Sequence, residues 1–124
     1  KKEWIIESGL HEEAGYQAMA NLLKRPRSQH PRAIVAVNDP VAFGAMKAIQ
    51  EARYDIPGDF AIVGFSDDIR AEFSSPPLTT ICQRAYDVGK RAAEKLIHAM
   101  IGDDPAVENI VVDSKLVVRS SCGC

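Results

Sequence analysis

The stretch that decides the fold is Ala33-Ile34-Val35-Ala36-Val37-Asn38-Asp39-Pro40. Five apolar residues, three of them β-branched, run without interruption. That length and content fit a strand buried on both faces, as in a parallel sheet. The run stops at once in Asn38-Asp39-Pro40. Asp39 is a good helix N-cap and Pro40 a good first helical residue. The following apolar residues, Val41, Phe43, Ala45, Met46, Ala48 and Ile49, spread wider than one stripe. The spacing therefore predicts a helix to about Arg53 that packs against two surfaces.

Working outward, the same grammar repeats. Upstream, Trp4-Ile5-Ile6-Glu7 reads as a short strand ended by Ser8-Gly9. Residues 12–24 read as a helix with Ala14, Tyr16, Met19, Ala20 and Leu23 on its apolar face, stopped by Pro26. Downstream, the turn-rich 54–59 leads to a second buried strand at 60–65. Ser66-Asp67-Asp68 ends that strand, and a short helix reaches about Phe73. Residues 74–77 form an extended loop, and 78–82 a short strand. The longest helix covers 86–101, with Ala85, Val88, Ala92, Leu96 and Met100 on one stripe and Gly102 as its C-cap. An acidic, Pro-containing loop precedes a last strand at 109–118. Strands and helices alternate, so the expected fold is α/β, a doubly wound and mainly parallel sheet. The opening residues read as a strand entered mid-domain, which places the start of the protein upstream.

The chain has 124 residues, enough for one compact domain. It is 46% hydrophobic and 26% charged, a balance that permits a packed core and argues against disorder. The net charge is -2 and the pI about 5.9, so the basic surface that nucleic-acid binding requires is missing from these residues. No apolar run approaches the roughly 18 residues of a membrane span, and the N-terminus is not a signal peptide. Three cysteines, Cys82, Cys122 and Cys124, do not make a disulfide framework. Cys122-Gly123-Cys124 has one residue too few for a C-x-x-C pair, although its exposure can make it reactive.

No catalytic apparatus is legible. His11, His30 and His98 fall on a helix start, a loop and a helix face, with no spacing for a triad or a metal site. Asp67 and Asp68 are adjacent and point apart, unlike a glycosidase pair. Neither dinucleotide nor P-loop glycine motifs occur, so no nucleotide cofactor is expected. Polar residues collect instead at the carboxyl ends of the expected strands, where open parallel sheets bind ligands. Asn38-Asp39, Ser66-Asp67-Asp68 and Ser8-Gly9-Leu10-His11 offer the donors and acceptors that read hydroxyl-rich small molecules. Each segment also begins a helix and needs a cap, and the two roles are compatible.

Four ordered motifs carry a family resemblance. They are residues 33–49, residues 56–68 (Ile56-Pro-Gly-Asp-Phe-Ala-Ile-Val-Gly-Phe-Ser-Asp-Asp), residues 75–83 (Ser75-Pro-Pro-Leu-Thr-Thr-Ile-Cys-Gln) and residues 117–121 (Val117-Val-Arg-Ser-Ser). Together they resemble the LacI/GalR-type transcriptional regulators over nearly the whole chain. The resemblance implies that residues 1–124 are the C-terminal portion of an effector-binding domain of the type I periplasmic binding protein fold. It implies that the DNA-binding headpiece and most of the N-terminal lobe lie outside them. The expected function is that of a ligand-responsive repressor in the cytoplasm, not an enzyme and without a cofactor. The competing reading is a periplasmic sugar-binding protein of a transporter, which shares the fold. The implied partners are a sugar or nucleobase effector, a second copy of the chain, and operator DNA through the headpiece; no membrane is implied.

The resemblance also implies roles. Asn38 matches an effector-contacting Asn, Leu10 a position often held by a stacking aromatic, and Gln83 a Gln at the lobe junction. Ser66 falls where many members have an Asp that holds sugar hydroxyls, and a hydroxyl cannot supply the bidentate, charged contact. Asp67 compensates only if its loop is rotated. Phe43, Met46, Arg70 and Phe73 fall in segments that form the family's dimer interface. The 84–101 helix packs on the other lobe in the family, so within these residues its apolar face must find another partner or stay poorly buried.

Overall fold

The computed structural model describes residues 4–102 and 109–124. In chain order they form α1 (Glu12–Leu23), β1 (Ala33–Val35), α2 (Asp39–Glu51), β2 (Ala61–Val63), α3 (Arg70–Phe73), β3 (Thr80–Cys82), α4 (Ala85–Met100) and β4 (Lys115–Val117). Short 3-10 turns lie at Arg27–Gln29 and Ser120–Cys122. The α/β alternation that the sequence predicts is present.

β1 and β2 pair in parallel, Ile34 opposite Ile62. Val63 then bridges Thr79 in parallel. The backbone bonds from Gly64 N to the Thr79 carbonyl and from Ser66 N to the Ile81 carbonyl carry β2 alongside β3. β4 closes the far edge antiparallel to β3, Leu116 opposite Ile81. Two two-stranded ladders, parallel β1-β2 and antiparallel β3-β4, thus lie side by side in the order β1-β2-β3-β4, joined by that bridge and those two bonds. A sheet so connected brings the carboxyl ends of β1, β2 and β3 to one edge.

The core lies between this sheet and the α1–α2 pair. Phe60, Ile62, Ile49 and Leu78 are fully buried, with Met19, Leu22, Ala45 and Met46 around them. Two glycines let the helices touch. A Cβ on Gly15 would meet the Val41 carbonyl at 2.1 Å, and one on Gly44 the Glu12 carbonyl at 1.8 Å. His30, Tyr54 and Phe60 pack ring to ring beneath the loop that enters β1, with His30 and Tyr54 edge to face.

Several elements differ from the sequence expectation. Residues 4–7 form no strand. Trp4, Ile5 and Ile6 instead line a groove of about 660 Å3 shared with α1 and β1. The strand of 33–37 shortens to Ala33–Val35 and is not buried on both faces: alternate side chains point to opposite faces, and the one that carries Val35, 83% exposed, is uncovered. The last strand shortens to Lys115–Val117, and the loop before it falls partly outside the described residues. On α1 Gly15, Met19 and Leu22 are buried, and Tyr16, Ala20 and Leu23 of the stripe read in sequence pack against the core beside them. α2 is buried on both sides, as its wide apolar content implies. α4 has no buried residue, and Tyr86, Leu96 and Met100 face outward.

Candidate functional site

The candidate site is the edge where β1, β2 and β3 end. Asn38 leaves β1 in an extended conformation and caps α2: its Oδ1 accepts from Val41 N at 2.9 Å. Asn38, not Asp39, is therefore the N-cap. The other end of the amide is also engaged, Nδ2 donating to the Leu10 carbonyl at 2.9 Å. One side chain so joins the loop before α1 to the start of α2. The Leu10 side chain itself is 61% exposed beside this contact.

Asp39 is displaced from capping because its side chain turns inward. It is fully buried, and its Oδ1 accepts from the Thr80 hydroxyl at 2.6 Å. Its Oδ2 accepts from Asp68 N at 2.7 Å, and its own backbone N donates to the Phe65 carbonyl at 3.1 Å. A single carboxylate thus fixes the ends of β1, β2 and β3 against one another. Buried charge is tolerated only when it is hydrogen-bonded in this way.

The β2 end turns sharply. Ser66 and Asp67 both hold positive φ, 130° and 54°. Ser66 is exposed at the rim, with its backbone N on the Ile81 carbonyl. The rotated loop does not free Asp67: its carboxylate pairs with Arg119 Nη2 at 3.0 Å, and its N donates to Thr80 Oγ1 at 3.3 Å. Arg119 also donates to the Leu78 carbonyl at 2.8 Å. Gln83 is exposed two residues beyond Ile81. Leu10 and Asn38 are in direct contact, and the Ser66–Asp67 turn is held beside them through Asp39.

The second cluster centres on Arg70. Its guanidinium pairs with Glu12 at 3.0 Å and Asp68 at 3.1 Å, and it lies 4.6 Å from the centre of the Phe43 ring. Hydrogen bonds from the Arg70 guanidinium and then its backbone N hold the Asp68 carboxyl below its ordinary value. The side-chain bonds of its guanidinium to Asp68 and then to Glu12 raise Arg70. Phe43 is half-buried and Phe73 is 78% exposed, whereas Met46 is 4% exposed and sits in the core, with no surface to present.

Sequence reasoning missed Arg119, Thr80 and the inward turn of Asp39. Arg119 lies within the Val117-Val-Arg-Ser-Ser motif, but 52 residues separate it from Asp67. The amides, hydroxyls and charged pairs along this edge can orient and hydrogen-bond a polar small molecule. His30 is taken up structurally, its Nε2 bonding the Arg25 carbonyl at 2.9 Å. Among the described residues no three metal-ligating side chains gather, and no helix is long and apolar enough to cross a membrane.

Residues 1–122 match the periplasmic binding protein-like domain family. The chain is 36% identical over 121 residues to the HTH-type transcriptional repressor PurR of Mannheimia succiniciproducens, covering 98% of this chain and 36% of that protein. It is 36% identical over 118 residues to the ribose operon repressor of Haemophilus influenzae, covering 95% of this chain and 35% of that protein. A LacI family transcriptional regulator from Enterococcus faecalis, solved with bound ribose, superposes with a TM-score of 0.85 at 34% identity, over 94% of this chain and 42% of that one. The chain spans about a third of the length of the curated relatives it matches. It belongs to the periplasmic binding protein-like domain family, and the solved structures it resembles include LacI family regulators.

Proposed function

We propose that these residues are the C-terminal portion of the effector-binding domain of a cytoplasmic, ligand-responsive repressor that performs no catalysis. The observation that carries this reading is the placement of Asn38. Its amide links the Leu10 loop to the start of α2 at the sheet edge where ligands of this fold class bind. Effector binding there shifts the balance between lobe arrangements and so changes how a dimer presents its DNA-binding headpieces. The headpieces and most of the other lobe belong to segments outside these residues. The relatives named as repressors favour this over a transporter's solute-binding protein.

Within the site, Asn38 contributes the amide, Ser66 a rim hydroxyl, Leu10 an apolar wall and Gln83 a group facing the other lobe. Asp67 is committed to Arg119, so it shapes the pocket as half of a pair. The ribose named with two of the relatives makes a pentose the first effector to test, and a nucleobase the second. The dimer surface is the Arg70 cluster with Phe43 and Phe73; Met46 supports it from the core.

The test is a thermal-shift series on the full-length protein with ribose, other sugars and nucleobases. An effector at 100 times its Kd adds about 2.7 kcal/mol. Asn38→Asp keeps the capping oxygen and removes the amide donor, so it should abolish the shift while the protein stays folded. An unchanged shift excludes Asn38 from the site. Phe73→Asp should convert dimers to monomers in sedimentation; persistent dimers exclude that surface.

A further inference from the structure

We propose that Cys122 and Cys124 form a dithiol that is oxidised by small disulfides and closes to an intramolecular Cys122–Cys124 disulfide. The geometry rests on three features. First, Cys122 ends a 3-10 turn that the sheet holds in place. Ser121, fully buried, accepts from Thr79 N at 2.8 Å and donates to the Ile62 carbonyl at 2.7 Å, while its own N donates to the Pro77 carbonyl at 3.1 Å. Second, Gly123 between the cysteines is left-handed, at φ 76° and ψ 19°. Such a residue folds the chain back and draws its two neighbours together, toward the about 4.4–6.8 Å between Cα atoms that a disulfide spans. Third, the thiols are unequal. Cys122 is half-buried and donates to the Arg119 carbonyl at 3.4 Å, whereas Cys124 is exposed.

The inequality sets the order of reaction. The Thr79 hydroxyl and then the Cys124 thiol, as hydrogen-bonding neighbours, hold the Cys122 thiol below its ordinary value. Cys122 in turn pushes Cys124 up. Cys122 is thus the more acidic of the two thiols and the first to ionise. Thiolates, not thiols, attack disulfides. Cys122 Sγ attacks one sulfur of an oxidised small disulfide such as glutathione disulfide; the S–S bond breaks and one glutathione thiolate leaves. Cys124 then gives up its proton to solvent and attacks Cys122 Sγ, and the second glutathione thiolate leaves. The protein loses two electrons and the small disulfide gains two. Gly123 is the positioning residue, because a side chain at its φ of 76° is strained.

The test treats the full-length protein with glutathione disulfide and follows intact mass and peptide maps. The wild type should lose about 2 Da, with the crosslink confined to Cys122 and Cys124, while Cys82 stays reduced. Cys124→Ser should stop at a glutathione adduct on Cys122. Cys122→Ser should leave Cys124 reacting about tenfold more slowly, since the lowered thiol is gone. Gly123→Ala, which keeps both thiols, should accumulate the mixed disulfide. Equal reactivity of all three cysteines, a lasting adduct on the wild type, a crosslink through Cys82, or the same rate in denaturant each overturns the proposal.

Discussion

A Cβ on Gly64 would stand 2.1 Å from Oδ1 of Asp39. The missing side chain at one position and the buried carboxylate at the other therefore form one device. Gly64 gives the carboxylate room to reach the Thr80 hydroxyl and Asp68 N, and those bonds tie three strand ends together. Because the oxygen rather than the backbone is what the new methyl meets, the two positions should be energetically coupled. Gly64→Ala should cost about 1–3 kcal/mol in urea unfolding. Asp39→Ala should cost about 3 kcal/mol by orphaning the hydroxyl and the amide. The double variant should lose less than the sum by about 0.5–3 kcal/mol. Additive losses would show that the clash lies elsewhere.

Two other glycines separate close approach from mere flexibility. A Cβ on Gly44 would strike the Glu12 carbonyl at 1.8 Å, and backbone there cannot yield without parting α1 from α2. Gly89, on α4, has nothing within 4 Å. Gly44→Ala should therefore destabilise by more than about 2 kcal/mol. Gly89→Ala should stabilise by about 0.5–1 kcal/mol, since alanine costs less backbone entropy in a helix. Thermal unfolding of both variants reads the two signs directly.

The Asp68–Arg70 pair predicts a pH dependence. Arg70 depresses the Asp68 carboxyl in the folded protein. A depressed acid contributes stability that is complete above its unfolded value, near 3.8, and is lost as pH falls through the folded value. Asp68→Asn should thus be less stable than the wild type at neutral pH, and the gap should close below about pH 4. The pair is partly solvated, so the gap should be small and should shrink in high salt. A gap that is constant with pH would mean that the Asp68 backbone geometry matters and its charge does not.

Much of this architecture was legible in sequence, for identifiable reasons. The β-branched runs at 33–37 and 60–65 and the polar residues after them read directly as strands ending at one edge. The wide apolar content of α2 foretold burial on both sides. Long-range geometry was not legible. Asp39-Pro40 reads as a cap and first turn, and only the arrival of Thr80 and Asp68 turns the carboxylate inward. Arg119 neutralises Asp67 across 52 residues, a distance at which no periodicity speaks. Strand lengths were overread because an apolar run suggests burial on both faces, and the face of β1 that carries Val35 is open. For the same reason Ser66 and Gln83 were readable as candidates but not as a pocket.

The same contrast between apolar content and actual burial supplies a last prediction, about α4. The helix has the clear stripe expected of a packed element, yet none of its residues is buried; Leu96 is 61% exposed. Ile49 on α2 is fully buried among Phe60, Ile62 and Leu78. Hydrophobic stabilisation follows the area removed from water, not the residue type. In the 124-residue chain, Leu96→Lys and Met100→Lys should therefore change stability by no more than about 0.5 kcal/mol. Ile49→Ala should cost about 2–5 kcal/mol. The lysine variants should also be more soluble, because they break up a contiguous exposed apolar face. In the full-length protein, where the proposed second lobe covers that face, the same lysines would be buried on it and should become strongly destabilising. Unfolding curves of both lysine variants in the two contexts decide whether α4 is a surface helix or one half of a buried interface.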